Sequence, residues 1–267
     1  MSNRVVPADL LVGLALLSLA ATACGPSREG SVPSSTILNG GAEVQTAHCR
    51  VFNEGFDVSY ALAWASVCEV CYEGYVEIYG LDALTLASSE AVEVRLAREA
   101  RARPSLSAYG GRITFRGDET HLLPPAEGGA NNIYGICHEI GHLVFPIDDP
   151  YYFEAWADYA AGYRIIPYVW ERLGEDAWPQ PYDYLVNDGP ADLLQRVEDG
   201  PSRAGFLADH YRAVAVLLAA DEAYGPQVIG QAVLRIETTV KKRSDFVEAL
   251  LIVTGDQRAR ELFADGP

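Results

Sequence analysis

The chain has 267 residues, 49% hydrophobic and 21% charged, a composition typical of a folded domain and unlike that of a disordered or low-complexity protein. Its 37 acidic and 20 basic side chains give a formal net charge of −17, which repels polyanions and excludes nucleic acid as an expected partner. Five cysteines are too few to build a fold from disulfides alone, so a hydrophobic core must stabilise it.

Residues 1–23 have the pattern of a secretory signal peptide. Arg4 precedes an apolar run over residues 10–23, which is shorter than the ~20 residues that a membrane-spanning helix needs. Two processing routes remain open. Ordinary cleavage after Ala23 would release the protein, whereas residues 19–24 resemble the lipobox of bacterial lipoproteins, whose cysteine, here Cys24, is acylated. We therefore expect an extracytoplasmic protein, either secreted or attached to the membrane only through a lipid at Cys24.

The segments that follow the leader predict an α+β fold. Residues 24–46 are rich in Ser, Gly, Pro and Thr and predict a tether, which places the folded domain at 47–267. Helical spacing over 60–81 predicts a helix that breaks at Gly74 or Gly80, and alternation over 92–96 and 112–116 predicts two strands. Beyond residue 132 nearly every segment has helical spacing. We expect an N-terminal lobe at about 47–145 and a helical C-terminal lobe at about 146–267.

Four cysteines remain in the expected domain, namely Cys49, Cys68, Cys71 and Cys137. In an oxidising compartment they can form disulfides by three different pairings, among which the sequence does not choose. The spacing Cys68-x-x-Cys71 also occurs in redox pairs and in half metal sites. A structural disulfide is favoured, because no second CxxC follows.

The strongest chemical signal is the HExxH pattern formed by His138, Glu139 and His142. Histidines four residues apart lie on one helix face about 6 Å apart, so both imidazoles can reach one zinc ion. Glu139 then lies beside the position of a zinc-activated water. A calcium site built from Asp148, Asp149 and Asp158 is the alternative, but these residues lack the alternating spacing and the glycine of calcium-binding loops.

The register of two helices predicts the third zinc ligand. A proline at position 146 ends the first helix and the Asp-Pro pair at 149–150 starts a second one, so the two helices fold back as a hairpin. At about 1.5 Å per residue, Glu154 is level with His142 and Asp158 is level with His138. Glu154 is therefore the predicted third ligand, and Asp158 the predicted carboxylate that orients His138.

The motifs from His138 to Asp158 resemble those of gluzincin metallopeptidases, in which HExxH is followed by a glutamate ligand and an acidic residue four positions later. The helical segments between residues 211 and 255 are similar to the tail of bacterial peptidase-MA-like proteins. The resemblance implies a zincin-like fold with a short sheet, an active-site helix and a helical C-terminal lobe. It also implies that the strand at 112–116 pairs with an extended peptide, and that the oxyanion donor comes from the C-terminal lobe. Our candidate donors are His210 and Tyr211, with Tyr163 behind them.

The expected function is that of an exported zinc metallopeptidase that cleaves peptide or protein substrates, with Glu139 as general base. Two alternatives stay open at this point. One is an inactive zinc-binding lipoprotein that serves as a binding or assembly module, and the other is a hydrolase of non-peptide amides, including cell-wall amides. An intact motif does not distinguish among the three.

Overall fold

The computed structural model describes residues 33–100, 105–109, 112–118, 130–145, 150–173, 206–236 and 242–264. The predicted leader, the predicted lipidation site at Cys24, and the residues Asp148 and Asp149 of the calcium alternative lie outside this part. Among the helices so described, none combines the length and the apolar character needed to cross a membrane.

A six-stranded mixed sheet forms the N-terminal part of the fold, with the strand order β1-β2-β3-β4-β6-β5. Strands β3, β4 and β6 are parallel to one another, whereas β1, β2 and β5 pair antiparallel with their neighbours. The strands are β1 Thr36–Leu38, β2 Glu43–Gln45, β3 Cys49–Glu54, β4 Val92–Arg98, β5 Ser105–Tyr109 and β6 Arg112–Gly117.

The tether prediction for residues 24–46 was wrong over residues 36–45, which form the β1–β2 hairpin. Asn39 and Gly40 have φ angles of 51° and 66°, and this left-handed backbone closes a tight hairpin connection. Val44 is completely buried in the core. Strands of three residues are too short to show apolar alternation, so the Asn-Gly pair was the available signal. The folded domain therefore begins before residue 47.

Helices account for most of the remaining described chain, so the α+β prediction is confirmed. The first helix is α1 Val58–Gly74, which continues as a π-helical turn, Tyr75–Tyr79, in place of a break at Gly74. Its start is capped by Asp57, whose side chain accepts a hydrogen bond from the Ser59 backbone nitrogen at 2.9 Å. The others are α2 Ala83–Ala87, α3 Ala130–Val144, α4 Pro150–Ala160 with the π-helical turn Ala161–Ile165, α5 Ile166–Leu173, α6 Phe206–Tyr224, α7 Pro226–Leu234, α8 Arg243–Thr254 and α9 Arg258–Leu262.

A disulfide between Cys71 and Cys137 joins α1 to α3. The other two cysteines, Cys49 on β3 and Cys68 on α1, are buried thiols whose sulfur atoms lie 2.6 Å apart. The two members of the CxxC pattern thus contact different partners and do not form a redox pair with each other.

Replacing Cys71 and Cys137 together by Ala is expected to lower the free energy of unfolding by about 4 kcal/mol, because the disulfide closes a loop between positions 66 residues apart. Urea unfolding of both proteins, without added oxidant or reductant, measures this difference in the free energy of unfolding. As the control, wild-type protein unfolded in a reducing agent should resemble the double variant. Equal unfolding midpoints for the two proteins without reductant would contradict a role for this disulfide in stability.

Candidate metal centre

Helix α3 carries the HExxH pattern on a largely buried surface, where Glu139 and His142 are at most 8% exposed. Its core-facing stripe repeats every three or four residues and is formed by Ile133, Ile136, Ile140 and Val144, all at most 2% exposed. Gly141 lets α3 pack closely against its neighbours, because a Cβ atom there would lie 2.8 Å from the Tyr75 hydroxyl and 3.1 Å from the Ala157 Cα on α4. Helices α3 and α4 therefore lie close together. The two histidines of α3 face α4, which is the second helix of the hairpin.

Three side chains from these two helices converge. His138 Nε2 lies 3.0 Å from His142 Nε2, and Glu154 Oε2 lies 3.2 Å from the first and 3.7 Å from the second. Within the described chain, this is the group of His, Cys, Asp and Glu side chains whose donor atoms are close enough to hold a metal ion. The HExxH pattern predicted the two histidines of this group, and the register of the two helices predicted Glu154.

The donor set and its spacing fit zinc. Two imidazole nitrogens and one carboxylate oxygen form a common set of protein ligands for a catalytic zinc ion with an open coordination position. With metal–ligand bonds of about 2.0 to 2.1 Å, tetrahedral ligand atoms lie about 3.3 Å apart. The three observed separations, 3.0, 3.2 and 3.7 Å, lie on both sides of this value.

Asp158 contacts the side of the His138 ring that faces away from His142 and Glu154. Its Oδ1 lies 2.7 Å from His138 Nδ1, which leaves Nε2 directed at His142 and Glu154. The same carboxylate accepts a hydrogen bond from the Tyr134 hydroxyl, and its Oδ2 lies 2.7 Å from His210 Nε2. The ring of His142 is held differently, since it stacks on Phe153 with ring centroids 3.9 Å apart.

Burial and charge shift the pKa values of the two histidines in opposite directions. Burial alone disfavours the protonated form of His138, but contacts with Asp158 and Glu154 outweigh it and raise its pKa to about 10. Burial and the neighbouring His138 lower the pKa of His142 to about 4. Burial opposes ionisation of Asp158, but hydrogen bonds from His138 and His210 hold its pKa below the usual range. A metal ion binds only the unprotonated imidazole nitrogen, so protons compete with the metal at His138 and metal affinity is expected to fall with decreasing pH.

Glu139 follows His138 on α3 and contacts the sheet at Ala108. It is 7% exposed, and this burial raises the pKa of its carboxyl. The backbone N–H of Ala108 donates a hydrogen bond to it. Ala108 belongs to β5, which within the described residues pairs with β6 and is the last strand at one end of the sheet.

The prediction that the strand at 112–116 pairs with a peptide at a sheet edge was wrong, because β6 is paired on both sides, by β4 and by β5. The edge nearest the candidate metal centre is β5, which the sequence analysis missed although residues 105–108 alternate polar and apolar side chains, a short strand signal.

The candidate oxyanion donors occupy different places. His210 is 7% exposed and is tied to Asp158 through Nε2, whereas Tyr211 is half-buried against the core beside it, with ring centroids 5.8 Å apart. Tyr163 lies in the π-helical turn after α4 and is also half-buried. Their role as donors stays a prediction. Tyr134 was missed, although its position four residues before His138 on the same helix face was a usable signal.

Comparisons of the chain with models of protein families and with curated proteins find no match.

Proposed function

We propose that the protein is an exported zinc metallopeptidase of the gluzincin type with a zincin-like fold. One observation carries this proposal: two histidines and a glutamate place three ligand atoms 3.0 to 3.7 Å apart, with the buried Glu139 next to the first histidine. The order of elements supports it, since a sheet that ends at strand β5 precedes the helix α3 and a helical segment follows it. The leader pattern and the Cys71–Cys137 disulfide support export to an oxidising compartment.

His138, His142 and Glu154 would hold the zinc ion, which when bound supplies a Lewis acid that polarises a carbonyl and acidifies water. Glu139 accepts the proton of the attacking water and delivers it to the nitrogen of the leaving amine. Burial makes the Glu139 carboxylate a stronger base than an exposed one, because its pKa is raised. Asp158 keeps the His138 ring in the orientation that leaves Nε2 free for the metal.

The edge of β5 is the expected binding surface for the peptide backbone. An extended peptide adds to an exposed sheet edge through main-chain hydrogen bonds, which recognise any sequence. Ala108 on β5 contacts Glu139 through its backbone N–H, so a peptide paired with this strand would pass close to the general base.

Metal loading and peptide cleavage test this function. The purified protein, incubated with zinc and then dialysed, should retain about one zinc ion per chain and should cleave casein or a peptide library. A chelator should remove both properties, and added zinc should restore them. Retention of less than about one tenth of a zinc ion per chain would contradict the proposal. Bound zinc without cleavage of any peptide would favour the inactive binding module.

A further inference from the structure

Asp158 connects side chains from three helices. His138 and Tyr134 come from α3, Asp158 itself from α4, and His210 from α6, 52 residues further along the chain. His138 and Tyr134 contact Oδ1, while His210 contacts Oδ2. Both oxygens of the carboxylate are therefore engaged by side chains.

The cluster is shielded from solvent, which makes each contact difficult to replace by water. The side chain of Asp158 is 18% exposed, that of His138 is 14% exposed, and that of His210 is 9% exposed. A carboxylate held at one oxygen alone can rotate about its Cβ–Cγ bond, because this terminal torsion is broad. Contacts at both oxygens fix the carboxylate plane and thereby the direction from which Oδ1 meets the His138 ring.

His210 is joined to the metal centre through this carboxylate, and Tyr134 contacts the same carboxylate while its ring also lies beside that of His138, with ring centroids 5.7 Å apart. His138 Nε2, His142 Nε2 and Glu154 Oε2 form the ligand triangle, whereas Asp158, the partner of His210, meets the His138 ring at its other nitrogen, Nδ1. Partners of this kind, which orient a metal-binding histidine from behind, change metal affinity when they are removed.

We infer that Tyr134 and His210 are positioning residues of the metal centre, which act through Asp158 to hold the His138 ring and so couple helix α6 to zinc affinity. The inference rests on the proposed zinc site. In this role His210 acts on Asp158 and does not act on the substrate.

The zinc dissociation constant, measured on the full chain by competition with a chromophoric chelator, tests the inference. His210→Ala and Tyr134→Phe should each weaken zinc binding about tenfold. His210→Gln, which keeps an N–H donor, should restore affinity to within about threefold of wild type. Thermal unfolding of each metal-free variant separates lost affinity from lost folding.

Two matched controls remove similar contacts elsewhere. Tyr168→Phe removes a hydroxyl that donates to the carboxylate of Glu77, and His48→Gln alters a histidine whose Nδ1 lies 2.5 Å from the buried Glu69. Both contacts lie outside the metal centre, so these variants should bind zinc as wild type does, whatever their thermal stability.

A double-mutant cycle with Asp158→Asn shows whether the effect passes through the carboxylate. In the Asp158→Asn background, His210→Ala should change zinc affinity less than about twofold, because its partner is already altered. A full tenfold loss in that background would overturn the inference, as would unchanged affinity in His210→Ala and Tyr134→Phe when wild type binds zinc. Absence of zinc binding by wild type would overturn the proposed function together with this inference.

Discussion

Replacing Glu139 by Gln is expected to abolish peptide hydrolysis while leaving about one zinc ion bound per chain. The amide has nearly the same shape but cannot accept the proton from the attacking water. The kcat for peptide hydrolysis should therefore fall by about 100- to 10,000-fold. Zinc content and initial cleavage rates, measured on the same preparation, check both halves of this expectation.

The stability of the Glu139→Gln variant should not fall. Burial raises the pKa of Glu139 above its usual value, so at neutral pH the ionised side chain destabilises the folded state relative to the unfolded one. A neutral amide removes this cost, and the melting temperature should be equal or higher. Glu73→Gln, a change on α1 away from the metal centre, provides the matched control and should retain activity. Unchanged hydrolysis by the Glu139 variant would show that another group is the base.

Replacing Glu154 by Gln is expected to weaken zinc binding more than about 100-fold, a larger loss than partners of ligating histidines typically cause. A carboxylate contributes a negative charge and a strong oxygen ligand, which the neutral amide does not replace. The side chain is 41% exposed, so the stability of the metal-free fold should change little. Chelator competition and thermal unfolding measure the two properties independently.

Asp158→Asn is the comparison that tests the assignment of ligand and orienting residue. Because Asp158 contacts His138 through Nδ1, away from the ligand triangle, its replacement should weaken zinc binding only about 10- to 100-fold. If Asp158→Asn lost more zinc affinity than Glu154→Gln, Asp158 would be the better candidate for the third ligand, and the helix-register argument would fail.

The grouping of His138, His142 and Glu154 could be predicted because its determinants are local. His138 and His142 are four residues apart on one helix, and a short connection to the next helix sets which residues lie level with them. Strands β4 and β6 were predictable for a similar reason, since each has alternating side chains over at least five residues.

Other features had too little local signal. The β1–β2 hairpin has strands of three residues, and its burial depends on contact with β3, which no local pattern records. The distinction between an interior strand and an edge strand also depends on pairing. Thus β6 looked suited to bind a peptide, but β5 occupies the edge beside Glu139.

The amino-acid sequence by itself determined the α+β composition of the chain, the HExxH helix and the register of Glu154 and Asp158, because the spacing of residues within a helix and a short turn decides these features. Only the tertiary structure decided that His210 meets Asp158, that Cys71 pairs with Cys137 and that β5 is the last of the described strands at its end of the sheet. The physical reason is that such contacts join residues far apart in the chain, whose approach depends on how all the elements pack together.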